Sequence, residues 1–291
     1  MGSTKYKITH HTHYNYYENV NLAHNEAWLL PASSSVQTCR HTHIHIEPRP
    51  AIYHEYTDFF GNTACHFSIQ QPHDKMSVTA THLVEVHRYY DTNDSTPWEE
   101  VRDFIQNSYA EDAISARQFC LETSFLTYLA EVKSYAQKSF RPGQSLIESS
   151  KHLMHRIFKD FKFVSGATTI STPLNQVFKQ RKGVCQDFAH IGVACLRSLG
   201  LAARYVSGYI ETLPPEGKEK LIGADASHAW FSTYHPVLGW IDFDPTNNQL
   251  ANNQYVTLAY GRDYADVPPL KGVIFSSGAH ALKVAVDVAR V

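Results

Sequence analysis

No stretch of these 291 residues is apolar for long enough to cross a bilayer as a helix, so an integral helical membrane protein is not expected. The first fourteen residues are polar and lack the apolar centre of a secretory leader. Position 6 is Tyr, where a myristoylation signal takes Ser or Thr. An excess of one charge is missing as well. The 26 Lys and Arg balance 28 Asp and Glu to a net −2, and the basic residues do not cluster. Neither nucleic acid nor an anionic membrane surface is therefore expected as a partner. Cysteine is sparse: five residues, an odd number at irregular spacings and with no CxxC pair. That argues against a disulfide framework and against a paired-ligand zinc site, and it fits a reducing compartment, so the cytoplasm is the expected location. Internal repeats and low-complexity segments are also lacking.

What is present is a chain 43% hydrophobic, enough for a real core, and long enough for one large domain or two ordinary ones. Histidine is abundant, at 18 residues. His41, His43 and His45 alternate with Ile44 and Ile46, so on a strand the three histidines share one face. Such a face can bind metal, but no second ligand cluster accompanies it. A solvent-facing polar edge above an apolar inner face is the preferred reading, and no metal is assigned.

Short alternating runs at 5–11, 26–30, 38–47, 52–58, 63–70 and 77–88, separated by Gly, Pro and Asn turns, predict an N-terminal β-sandwich-like domain over residues 1–92. A polar linker at 91–96 precedes Thr96, Pro97, Trp98 and Glu99, which combine a capping box with proline at the first helical position. Helices are expected at 126–139, 145–161 and 174–180. The 145–161 stripe of Leu146, Ile147, Ser150, Leu153, Met154, Ile157, Phe158 and Phe161 is expected to be core. After Gly200 the period changes to that of strands, at 202–212, 228–234, 240–244 and within 254–291, with a surface loop at 213–224. Residues 93–291 thus read as α+β: helices packed on an antiparallel sheet, followed by C-terminal strands.

The richest stretch is Lys182, Gly183, Val184, Cys185, Gln186 and Asp187, running on as a helix to a capping Gly200. Phe188, Ala189, Gly192, Val193, Leu196 and Leu199 follow at helical spacing. Cys185 falls in the first turn, where free N–H groups and the helix dipole stabilise a thiolate. Cys195 is expected to be a packing residue. A nucleophile needs a base and an orienting group. If the 228–244 segment is a hairpin turning near Pro236, His228 and Asp244 lie opposite each other, and Trp230 and Asp242 share their face. Asp242 is a geometric rival to Asp244. His228 as a core histidine, and Asp244 as a cap for the turn at Pro245, Thr246 and Asn247, are the competing structural readings. A Cys, His, Asp order makes a catalytic triad the stronger one.

Gly183 to Ala189, Ala203 to Tyr209, Ser227 to Trp230, and Gly239 and Trp240 with Asp244 to Asn247 resemble the bacterial transglutaminase-like superfamily, whose members are often labelled cysteine proteases. Gly261 to Pro269 resembles a later signature of that family, and the N-terminal β region is similar to the domain paired with it. The resemblance implies a papain-like core, with Cys185 as nucleophile, His228 as general base and acid, and Asp244 as orienter. It implies no cofactor, and a peptide or protein amide as substrate. Relatives include cross-linking transferases, peptidases, peptide N-glycanases and idle members. The calcium-binding insert of animal transglutaminases is not visible. An amide hydrolase is the leading expectation, with an acyltransferase or a non-catalytic scaffold as alternatives. Trp230 and Tyr209 are candidates to line the cleft, with core packing as the competing reading. Gln180 is a candidate second oxyanion donor beside the Cys185 N–H, against a plain helix-end role.

Overall fold

The computed structural model describes residues 2–31, 33–212, 227–275 and 278–291. The loop expected at 213–224 lies outside the described residues. The N-terminal strands are β1 (Thr4–Val20), β2 (Ala23–Leu30), β3 (Gln37–Glu47), β4 (Ile52–Thr57), β5 (Thr63–Ile69) and β6 (His73–Val86). Each of the six expected strands is present, and β1 runs nine residues further than expected, through an irregularity in its pairing between Asn15 and Val20. The helical part follows as α1 (Trp98–Asn107), α2 (Glu111–Arg117), α3 (Ala130–Gln137), α4 (Leu146–Asp160), the short β7 (Lys162–Phe163), α5 (Leu174–Gln180), β8 (Lys182–Gly183) and α6 (Cys185–Ser198). Then come β9 (Ala203–Ile210), β10 (Ser227–His235), β11 (Gly239–Asp244), β12 (Gln249–Leu250), β13 (Tyr255–Gly261), β14 (Leu270–Ile274) and β15 (His280–Arg290).

Two four-stranded sheets, ordered β15-β1-β6-β3 and β14-β2-β5-β4, close the sandwich. Alternation along each strand turns Tyr6, Ile8, Val78, Phe67, Ile69 and Val288 into a shared core. The outermost strand of each sheet on one side comes from the C-terminus: β15 pairs with β1 and β14 with β2. Sequence alone places these strands with residues 93–291, because pairing at that separation leaves no local signal. On the opposite edge His41, His43 and His45 are exposed along β3, and Ile46 faces the core.

The second sheet system is ordered β12-β11-β10-β9-β13, with α6 packed on β9 and β10 and surrounded by α3, α4 and α5. Burial from Asp187 to Leu196 runs all round α6, so it is a central helix rather than one with a solvent face. Gly200 closes it with φ of 82°. α4 fits its stripe except at Phe158, which is 46% exposed. The expected 126–139 helix begins only at Ala130, because Leu129 is extended, although Leu126 is still buried. At α1 the capping box is not made. A bridge between Pro97 and Ser145 draws Thr96 out of reach, and Pro97 takes the N-cap position without a side-chain acceptor. The two halves share packing: Tyr209, Val256 and Leu258 belong to the sandwich core.

Candidate active site

Cys185 opens α6, after Val184 in extended conformation at the N-cap. The turn is held by Asp187, whose Oδ2 accepts from the Val184 N–H at 2.8 Å and from the Thr168 hydroxyl at 2.6 Å. Burial raises the Asp187 carboxyl above its ordinary value in spite of those bonds. Gly183 is required here, since a Cβ would overlap the Asp187 carboxylate. The Cys185 amide lies in the first turn, where N–H groups have no intrahelical acceptor. The Cys185 side chain packs against a small buried cluster of Trp28, Ala64, Ala189, Tyr205, Ala229, Ala259 and Val267, to which the sandwich contributes Trp28 of β2 and Ala64 of β5.

His228, on β10, is 8% exposed. Its Nε2 is 2.7 Å from Asp244 Oδ2, which leaves Nδ1 as the ring nitrogen available to the Cys185 thiol, a neighbour close enough to act on the ionisation of the ring. Burial opposes the imidazolium, but the hydrogen bonds and charges of Asp244 and Cys185 outweigh it and push His228 up to about 10. Asp244, at the end of β11, is wholly buried. Its Oδ2 also accepts from Asn247 Nδ2 and the Tyr255 hydroxyl, each at 2.7 Å. Oδ1 accepts from the Thr246 N–H at 2.8 Å and the Asn247 N–H at 3.3 Å. Burial would raise this carboxyl, yet His228, Asn247 and Tyr255 hold it below the ordinary carboxylate value.

The hairpin is offset from the sequence reading by one residue at its turn. His235 pairs with Gly239, so the loop is Pro236, Val237 and Leu238, and Gly239 takes φ of 71°, which a side chain would resist. His235 Nδ1 accepts from the Val237 and Leu238 N–H groups, and Nε2 reaches Asp94 at 3.0 Å, locking the turn. Continuing this register sets Asp244 across from Trp230. The His228–Asp244 contact is therefore diagonal rather than directly opposite, still on one face because both arms shift by an even step.

Asp242, the rival orienter, turns away from His228 toward Arg88, whose Nη1 is 3.5 Å from its Oδ2. Neither proposed cleft residue offers surface to a substrate. Trp230 is fully buried with its ring 6.0 Å from that of His228 and 5.3 Å from Tyr255, so it backs the histidine. Tyr209 is fully buried in the sandwich core, its hydroxyl 2.9 Å from His10 Nδ1. Their apolar bulk, on strands shared between two cores, decided their placement. Gln180 ends α5 exposed to solvent. Cys195 is buried inside α6, as expected of a packing residue. Asp187, Asn247, Tyr255 and Trp28 carry no role in the sequence-based expectation. Asp187 was legible as the acidic residue three positions after an N-cap. Tyr255 and Trp28 reach the site only through tertiary folding.

Residues 6–85 match the model of the bacterial transglutaminase-like N-terminal region, and residues 133–245 that of the transglutaminase-like superfamily. An uncharacterized protein of Mycobacterium tuberculosis is 39% identical over 99% of this chain and 93% of its own length. A protein-glutamine gamma-glutamyltransferase of Pseudomonas aeruginosa is 37% identical over 24% of this chain and 11% of its own. Among solved structures, one titled "putative cysteine protease" from Cytophaga hutchinsonii superposes with a TM-score of 0.78 at 21% identity, covering 100% of this chain and 91% of that one. With both family models matched in order and that relative aligned over nearly its whole length, this chain belongs to the transglutaminase-like superfamily of cysteine enzymes, on a papain-like fold with an N-terminal β-rich region.

Proposed function

We propose that the chain is a thiol-dependent amide hydrolase acting on a peptide or protein through Cys185, His228 and Asp244. The observation that carries this reading is the buried His228–Asp244 pair, 2.7 Å apart, with the Cys185 thiol at the N-terminus of α6 close enough to act on the imidazole. Sulfur attacks the carbonyl carbon, and the carbonyl oxygen charge is met by the Cys185 N–H. The C–N bond breaks as His228 gives its proton to the leaving amine, leaving a thioester on Cys185. Water then attacks the thioester. His228 takes its proton, and acid and free thiol are released. Asp244 holds the imidazole in orientation and stabilises its charged form.

An acyltransferase uses the same steps, with an amine in place of water. The partial likeness to a gamma-glutamyltransferase favours this as the second reading. Incubation with a library of carboxamide and peptide substrates, acid quench and mass spectrometry should find an acyl adduct on the Cys185 peptide, lost on hydroxylamine treatment. No adduct on Cys185 with any turned-over substrate would remove covalent catalysis. Added methylamine divides the two readings: free acid as the main product supports the hydrolase, and N-methyl amide the transferase.

A further inference from the structure

A second set of charged groups lies on the sheet face of Trp230 and Asp242, and the proposed chemistry does not use it. Ser232 of β10 pairs with Arg204 of β9 on one side and Asp242 of β11 on the other. Arg88, just past β6, reaches in from the sandwich with its side chain wholly buried. Its Nη1 lies near Asp242, and its Nη2 donates to Thr257 Oγ1 at 2.8 Å. Burial, and then the charge of Asp242, raise the Tyr90 phenol above its ordinary value. The set is under-satisfied: Arg204 Nε, Arg88 Nε and Nη1, Asp242 Oδ1 and Ser232 Oγ are buried without a hydrogen-bond partner. So many orphaned polar atoms in one place call for an explanation, and a ligand that takes up the Arg204 guanidinium is part of one.

A pocket of about 500 Å³ between the two halves of the molecule opens onto Arg204 and Asp242, with Arg88 and Ser232 outside its lining. Arg204 and Asp242 lie at its base, Tyr90, Trp240 and Tyr260 on its walls and the exposed Ser35 at its rim. The Arg204 guanidinium carbon is 4.3 Å from the centre of the Trp240 ring and 3.8 Å from that of Tyr260. Rings occupy its faces, so the N–H edge is what remains for a partner, and a planar carboxylate matches that edge. Arg88, behind the pocket, is paired with Asp242, which leaves the Arg204 charge for a ligand. The aromatic walls add an apolar surface that a bare inorganic ion would not cover.

We propose that this pocket binds a small carboxylic acid with an apolar body, its carboxylate on the Arg204 edge and its body against Tyr90, Trp240 and Tyr260. The site is separate from Cys185. Trp230 stands between them, with His228 6.0 Å to one side and the Arg88 guanidinium 5.9 Å to the other.

The test is calorimetric titration of the full chain with benzoate, benzamide and inorganic phosphate. Benzoate should saturate one site. Benzamide, with the same body and no charge, should bind at least about tenfold more weakly, and phosphate should give no saturable signal. Cys185→Ala should bind benzoate like the unaltered chain. Arg204→Lys keeps the charge but removes the fork, and should weaken benzoate at least about tenfold. Ser35→Asp places a negative charge at the exposed rim without touching the buried set. It should weaken benzoate binding by an amount that shrinks with added salt. No saturation by benzoate, benzamide binding as tightly as benzoate, phosphate binding in its place, unchanged affinity in Ser35→Asp, or loss of binding in Cys185→Ala would each overturn the proposal.

Discussion

Asp244 faces His228 with one carboxylate oxygen and its own following turn with the other. Oδ2 lies 2.7 Å from His228 Nε2, and Oδ1 receives the Thr246 N–H at 2.8 Å. The structural and catalytic readings of this aspartate are therefore not alternatives. The turn at Pro245 fixes the carboxylate, and the fixed carboxylate fixes the imidazole.

Asp244→Asn should accordingly damage catalysis more than folding. An amide can still accept the Thr246 N–H through its oxygen, but if its NH₂ then faces His228 Nε2 it donates where the carboxylate accepted, favouring the wrong tautomer. The loss in kcat/KM should be large, up to about 10⁴-fold by comparison with serine triads. Steady-state kinetics beside circular dichroism checks both halves. A variant with full activity would remove Asp244 from the mechanism.

The pair should also leave a mark on stability. His228 is raised from 6.5 to about 10, so its contribution is fully present below 6.5 and is lost as pH climbs through about 10. Asp244 is lowered from 3.8, so its contribution is present above 3.8 and is lost as pH falls through its lowered value. The melting temperature should therefore sag on the alkaline side of neutrality in the unaltered chain. It should sag less in Asp244→Asn, where the proton on His228 is no longer held. Equal alkaline slopes in the two proteins would contradict the assigned pairing.

Asp187 should act as a positioning residue for Cys185. Asn at this position can still accept from the Val184 N–H and the Thr168 hydroxyl, so Asp187→Asn should keep most activity. Asp187→Ala leaves both donors unpaired and should lower kcat more than it raises KM, slowing alkylation of Cys185 in parallel. Replacement of an N-cap-type bond costs about 0.5–2 kcal/mol. If Asp187→Ala lost stability but kept its Cys185 alkylation rate, the role would be structural alone.

Asp242→Ala separates the two aspartates. It strands Arg88 in a buried site and should destabilise the fold by about 3–5 kcal/mol, read as a lower denaturation midpoint. The kcat of the folded fraction should stay near that of the unaltered chain. An inactive but stable Asp242→Ala would move the orienting role to this residue.

Much of this arrangement was legible because it is local. The six sandwich strands, α4, α5 and the Cys185 turn each carry their own period or cap within about ten residues, and the Cys, His, Asp order survives any hairpin near Pro236. The register was not legible to one residue. Gly239 in a left-handed conformation, rather than Pro236 alone, sets the turn. The return of β14 and β15 to the sandwich, the burial of Trp230 and Tyr209, and the arrival of Tyr255 at Asp244 depend on contacts between distant segments, for which alternation gives a face but no partner.

The central claim is that Cys185 is a nucleophile made ready by His228. The most direct measurement is the rate of iodoacetamide labelling at each of the five cysteines, by peptide mass spectrometry near neutral pH, in the unaltered chain and in His228→Ala. Burial pushes Cys65 and Cys120 up to about 11, Cys195 up to about 12, and Cys39 upward as well. Cys185 should therefore label first, and its lead should shrink in His228→Ala. Labelling of Cys39 or Cys120 ahead of Cys185, or a Cys185 rate indifferent to the loss of His228, would contradict it.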